Sequence, residues 1–556
     1  MSAPSHRADS LDTRGDEGAG TPGASPAPGG LRAGLLTGRH SDPDWDYAEF
    51  EAFLRDDTGG LEAWFGADIA QAVATPGQRP GQPDEGTPSS RLQRARAMLR
   101  ARVDRDIASI DAMLARQIDT ILHHPRFQRL EGSWRGLGWL VSDIDPGGDI
   151  LVRVLSATWS ELARDMFRVL EFDQSNFFKL VYESEFGHAG GHPFGMMLID
   201  REIAHLPPRR DIFEAAPVDD IEVLRQLASV AAAAFVPTVL AASPRLLGVE
   251  SFAALSLAQD ITAVQNDIEH RRWHDFAAGE DSRFLCLTLP RLLARPRWTR
   301  ENNRLRHEEY AAGAEQQCWH CAGYAFARTV TRAQREYRWP GDIRGVTPGR
   351  EAGSFVSGTT EDPLRFGLRT RIPRAPAELG FTDRQSQALV ESGLMPLDTL
   401  PFGGVAFAST RSLQTRRAAP RHPNAADANQ RLSAEIVSLL CVSRFAHHIK
   451  MLGRDMIGRL TTPEEIEREL QEWLGRYTNT STLSTGESRA RFPLLSSRVQ
   501  IAAREGQPGQ YGCVIHLQPH YQLDDISTTF RLVTNLSSAD RAGSSGGFAS
   551  RQSGDS

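Results

Sequence analysis

Between Arg91 and Leu122 the apolar residues Leu92, Leu99, Val103, Ile107, Ile110, Leu114, Ile118 and Ile121 recur three, four or seven positions apart. That spacing places them on one face of a long amphipathic helix. Ser89 and Ser90 suit its start as caps, and Pro125 disfavours helical geometry at His124, so the helix should stop there. An aromatic-rich segment follows, with Phe127, Trp134 and Trp139 available for a buried contact and Leu137 to Val141 fitting a core strand.

At 556 residues the chain has room for two or three domains with real cores. Its 40% hydrophobic and 24% charged content is that of a globular protein, and a net charge of −7 argues against nucleic-acid binding. Lys179 and Lys450 are the only lysines among 63 basic residues, which leaves a surface suited to bidentate, carboxylate-facing arginines. No 18-residue apolar run spans a membrane, and Met1 to Gly30 lacks the apolar core of a secretory signal. Five scattered cysteines fit a reducing cytoplasm.

The chain divides into a disordered extension (1–32) and a short helical unit around Trp45 to Phe65 with a Pro/Gly linker (33–90). A large domain (91–424), a C-terminal domain (425–536) and a disordered tail (537–556) follow. In the large domain, strands are expected at Ile150 to Val154, Phe177 to Glu183 and Gly195 to Ile199, with a helix over Ser156 to Leu170. That order implies an α/β fold with α+β character. Asp220 to Leu240 reads as a buried helix, and another helix falls near Thr382 to Ser392. In the C-terminal domain a helical stripe runs from Leu432 to Met456. Thr462, Pro463 and Glu465 form a capping box, and two strands, Tyr511 to Gln518 and Ser527 to Asn535, make a closing hairpin.

Catalytic motifs are incomplete. Neither lysine sits in a phosphate-binding loop, His307-Glu308-Glu309-Tyr310 lacks the second zincin histidine, and Gly543 to Gly547 lies in the tail. Cys318-Trp319-His320-Cys321 has ligand spacing without a second pair, in a stretch that reads as helix. His188 and His192, with Glu183 and Glu185 upstream, could serve a metal-dependent hydrolase, but the surrounding glycines favour a loop whose imidazoles need not converge. Arg91, Arg94, Arg96, Arg100 and Arg102 fit the solvated face of the long helix better than an acidic partner's site.

The order of residue types says more. His123-His124-Pro125-Arg126-Phe127-Gln128-Arg129-Leu130-Glu131-Gly132-Ser133-Trp134-Arg135-Gly136-Leu137 resembles the signature of the large subunit of the type VI secretion contractile sheath, the TssC/VipB family. Further blocks resemble the family in the same order. They are Phe178 to Gly187, Gly191 to Gly195, Leu289 to Arg295, Cys318-Trp319 with Ala322 to Ala327, Ser443 to Lys450, Arg454 to Gly458, Gln518 to Leu523 and Arg531 to Val533. His188, His192 and His320 depart from the small or polar residues expected of relatives.

The resemblance implies a phage-tail-sheath-like structural protein, not an enzyme, with no catalytic residue, metal or cofactor. Its partners would be a small sheath subunit (TssB/VipA type), further copies of itself, an inner-tube protein (Hcp type) and a baseplate. A recycling AAA+ unfoldase (ClpV type) would reach it through the small subunit. The heterodimers would build a helical tube whose contraction propels effectors, without nucleic acid or direct membrane insertion. A sheath of an extracellular phage-like injection particle is the alternative. Such sheaths connect copies by strand exchange, and Tyr511, Cys513, Ile515, Leu517, Phe530 and Leu532 on the terminal strands are the expected exchange residues.

Overall fold

The computed structural model describes residues 88–536 except 189, 208–216, 256–259, 302, 304–306, 312, 347–350, 363, 367–369, 373, 402, 416–433, 457–461, 482–485, 504–510 and 521–529. The expected N-terminal extension, the helical unit near Trp45 to Phe65 and the tail after 536 lie outside the described residues. So do the side chains of Arg91, Arg94, Arg96 and Arg100. The described residues fall into two units, divided after Gln117.

The periodic segment is a helix, α1 (Pro88–Leu122). Pro125 ends it by opening the next, α2 (Pro125–Val141), as an N-terminal proline behind a His124 cap at φ −69°, ψ 124°. The expected strand at Leu137 to Val141 is therefore helical. Gly132, Gly136 and Leu140 are buried four apart, and that repeat of four, not alternation, governs the segment.

Thr158 and Glu161 cap α3 (Trp159–Phe167) reciprocally, inside the expected helix. The expected strand before it does not form, and Ile150 to Thr158 carries no ladder. Phe177 to Glu183 is not a strand either. Asn176–Phe178, Lys179–Glu183 and Ser184–Phe186 run on as one helical stretch with a π turn in the middle. Asp165 accepts the Phe177 N–H at 2.9 Å and Ser175 accepts that of Phe178 at 3.1 Å, which fixes a helix start. Phe178, Tyr182 and Phe186, four apart, then stack with centroids 5.0 and 4.8 Å apart.

The centre is a six-stranded sheet of β1 (Met197–Ile203), β2 (Thr238–Ala242), β3 (Leu285–Leu289), β4 (Phe355–Val356), β5 (Leu394–Thr399) and β6 (Val405–Phe407), in the order β1-β2-β3-β5-β6-β4. The first four in that order are parallel and the last two join antiparallel. Every residue of β2 and β3 is buried, so apart from Thr238 and Thr288 these strands read as apolar runs instead of alternating, as a sheet covered on both faces requires. Before β2, α4 (Asp220–Ala234) ends at Phe235 in the left-handed region, φ 53°. Pro237 bars further helix, and Asp220 to Leu240 is thus a helix and a strand rather than one helix. α5 (Gly323–Tyr337) lies against β1 and β2, where a Cβ on Gly323 would meet Leu198 at 2.5 Å. Upstream of it, Trp319–His320 is a short strand paired with Leu292–Leu293, not helix. α6 (Asp383–Glu391) has the expected place and a Thr382/Gln385 capping box. The chain is α/β with mixed sheets, as its order of elements implied.

In the C-terminal part, α7 (Ile436–Met456) and α8 (Pro463–Gly475), capped by Thr462 and Glu465, precede a three-stranded antiparallel sheet. Its strands are β7 (Leu494–Ala503), β8 (Tyr511–Pro519) and β9 (Phe530–Leu536). The sequence reading had a two-stranded hairpin. β7 escaped it because Ser496, Ser497, Arg498 and Gln500 break the apolar alternation of its middle.

Candidate subunit interface

β8 is the middle strand, pairing Ile515 with Val499 on one side and with Leu532 on the other. Cys513, Ile515 and Leu517 are fully buried, in one core with Ile466, Leu470 and Leu474 of α8. Tyr511, Cys513, Ile515 and Leu517 thus lie on a strand paired on both sides within the chain, whereas Phe530 and Leu532 lie on β9, at one edge.

The two edges differ. On β7, Val499 N–H donates to Gln471 Oε1 at 3.0 Å and Ile501 N–H to Glu467 Oε2 at 3.1 Å. Gln471 Nε2 donates to Ser497 O at 3.1 Å. Side chains of α8 therefore take the groups that another strand would need, a device that blunts an edge. Because Val499 N–H turns away from β8, alternation makes Val499–Ile515 a non-hydrogen-bonded pair and Ile515–Leu532 a hydrogen-bonded one. Leu532 N–H then faces β8, and the N–H groups of Arg531, Val533 and Asn535 face outward. Among the described residues no strand pairs with that side of β9.

The signature segment forms a joint. Gly132 packs so close to Trp319 that a Cβ would come within 2.1 Å of its carbonyl oxygen, and a Cβ on Gly136 would meet the Tyr324 ring at 2.5 Å. Arg129 Nη2 donates to Asp200 O at 2.9 Å, and Glu131 Oε1 accepts from Arg295 Nε at 2.9 Å. Arg295 also holds Glu309 in a two-pronged pair, 2.5 and 3.0 Å, and His123 lies 3.1 Å from Glu309. Burial works to raise the Glu309 pKa, yet Arg295, the Trp298 N–H and His123 hold it below the usual carboxylate range. Glycines for close approach and charges for a buried network thus account for much of this motif.

The candidate ligands do not converge. His188 and His192 are exposed on a loop, and buried Glu185 instead accepts the His192 N–H at 2.8 Å and pairs with Arg153. Cys318 points at Gln128 O and Cys321 accepts the Gly323 N–H at 3.1 Å. Burial pushes both thiols up to about 12, which leaves them neutral packing groups.

Sequence reasoning had no role for Lys450. Its ammonium lies 4.8–5.1 Å from the rings of Tyr182, Phe186 and Phe235 and donates to the Tyr182 hydroxyl at 3.4 Å. Burial pushes it down to about 8, while three ring faces favour the cation. It joins α7 to the π turn, and the four-residue ring spacing was the legible sign.

Buried His205, His270 and His447 and half-buried His448 make the fold acid-sensitive. Burial, helped by His270, pushes His205 down to about 4, and the two rings stack at 3.9 Å. Burial also lowers His270, takes His447 to about 3 and His448 to about 4. All lie below the ordinary 6.5, so the unfolded chain takes up protons first as pH falls. Stability fully present above pH 6.5 is expected to decline towards pH 4. His205→Phe with His270→Leu should flatten that limb of a melting-temperature profile, and an unchanged limb would contradict this.

Two family models cover most of the chain: VipB, described as EvpB/VC_A0108, tail sheath N-terminal domain, matches residues 104–414. VipB_2, the EvpB/VC_A0108 tail sheath gpW/gp25-like domain, matches 425–536. The chain belongs to this VipB tail sheath family. It is 34% identical over 449 residues to the type VI secretion system sheath protein TssC1 of Pseudomonas aeruginosa, covering 78% of this chain and 86% of that protein.

Proposed function

We propose that the chain is the large structural subunit of a type VI secretion contractile sheath. It pairs with a small sheath subunit, and the pairs stack into a helical tube around an inner tube on a baseplate. Contraction is a change of packing between copies, so the chain acts without a catalytic centre. No helix among the described residues is long and apolar enough to cross a membrane. The chain works in the bacterial cytoplasm, and an AAA+ unfoldase recycles the contracted sheath through the small subunit.

The family match over both domains carries the role. The C-terminal sheet, blunted on β7 and joined by no further strand on β9 among the described residues, supports a directional strand exchange. Exchange therefore runs through β9, with Phe530 and Leu532 on the acceptor strand and Tyr511, Cys513, Ile515 and Leu517 as its internal support. Expressed alone, the chain is expected to aggregate through uncovered apolar faces, and with its small subunit to purify as a soluble stoichiometric complex. A stable monomer at high concentration that ignores the small subunit would contradict the pairing.

A further inference from the structure

The run from Ile150 to Thr158 is without parallel among the described residues for what it leaves uncovered. It has no helix, turn, bend or ladder, and every residue from Leu151 to Thr158 is exposed. Leu151, Val154 and Leu155 are 68%, 63% and 56% exposed. From Leu151 to Ala157 no backbone N–H or C=O has a hydrogen-bond partner among the described residues. The run is nevertheless pinned. Asp149 pairs with Arg338, and Arg153 pairs with Glu185 and lies 5.5 Å from the Phe194 ring. Thr158 caps α3.

Its composition is wrong for a solvated loop. Such loops are built from Gly, Pro, Asn, Asp and Ser. Here Ile150, Leu151, Val152, Val154 and Leu155 dominate, with no Gly or Pro, and Arg153, the one charge, is already paired. Apolar, partly β-branched residues on a straight backbone are the makings of a strand. A strand with both backbone sides free invites an added one.

We propose that Ile150–Ala157 is an acceptor strand on which the small sheath subunit lays an extended segment, making this the seam of the heterodimer. The inference rests on the pairing proposed above. Pairing of the run with the same run in a second copy is disfavoured by symmetry. That contact is isologous and closes a dimer, whereas a helical sheath needs head-to-tail contacts. The seam is separate in the chain from β9, so pairing and sheath growth become separable functions.

Hydrogen–deuterium exchange of the full chain, alone and in complex with the small subunit, tests this. Amides from Leu151 to Ala157 are expected to exchange freely in the chain alone and at least about 100-fold more slowly in the complex. Val152→Pro with Val154→Pro, which breaks no ladder within the chain, should leave the melting temperature unchanged and weaken capture of the small subunit at least about tenfold. A complex that forms while these amides stay unprotected would overturn the inference alone. Protection already complete in the isolated chain would assign the run to this chain's own residues and overturn it too. Failure of the wild-type chain to bind any small subunit would overturn the pairing and the seam together.

Discussion

Arg295→Ala is expected to cost about 3–5 kcal/mol of stability, because it leaves the buried Glu309 carboxylate without its arginine, while Glu131 keeps Arg135. The Arg295 side chain is 4% exposed and that of Glu309 1%. Glu131 and His123 belong to the same network, so the loss spreads to the joint that holds α2 on the Trp319–Tyr324 segment. Once Arg295 is gone, burial is left to push the Glu309 pKa upward. Adding Glu309→Leu and Glu131→Gln should recover part of the loss, since replacing a whole buried ionic group costs less than orphaning one member. Denaturation midpoints of the wild type and the two variants measure this. A single-variant loss under about 1 kcal/mol would place Arg295 among ordinary surface pairs.

Val533→Pro is expected to abolish sheath formation while the chain still folds and binds its small subunit. The Val533 N–H faces outward from β9, so proline there removes a donor offered to an incoming strand and spares the ladder to β8. Ile515→Pro makes the contrast. Ile515 N–H faces Leu532, and its side chain is fully buried, so proline should collapse the sheet from its middle. The effect of Ile515→Pro would then be misfolding, not a clean loss of assembly. Microscopy of lysates beside small-subunit pull-down separates the cases. Normal tubes from Val533→Pro would remove β9 from the account.

Much of the fold was legible where local signals were redundant. The capping boxes at Thr382 and Thr462 fixed helix starts, because hydroxyl, acid or amide and spacing all agree there. Pro125 marked a boundary but not what followed, since a proline that ends one helix is equally fit to begin another. The strand readings failed where short apolar clusters admit two periods. Phe177 to Glu183 became helical once Asp165 and Ser175 capped it, and those caps lie outside the segment itself.

The interface was legible only in part. Alternation marked β8 and β9 as strands, but the sequence cannot say which strand lies in the middle. That order follows from β7, whose polar residues hide it, and from Glu467 and Gln471, whose value as edge caps appears only when α8 is folded against Val499 and Ile501. Ile150 to Val154 is the converse. Its strand-like pattern is real, but the chain supplies no neighbour for it among the described residues.

The most direct test of the central claim is a cryo-electron-microscopy reconstruction of the full chain co-expressed with its small subunit. The expected result is a helical tube in which the sheet of β7, β8 and β9 is extended beyond β9 by a strand from a neighbouring subunit, while α8 still covers β7. Discrete particles without helical order, or a tube in which no strand from another chain joins that sheet, would contradict it.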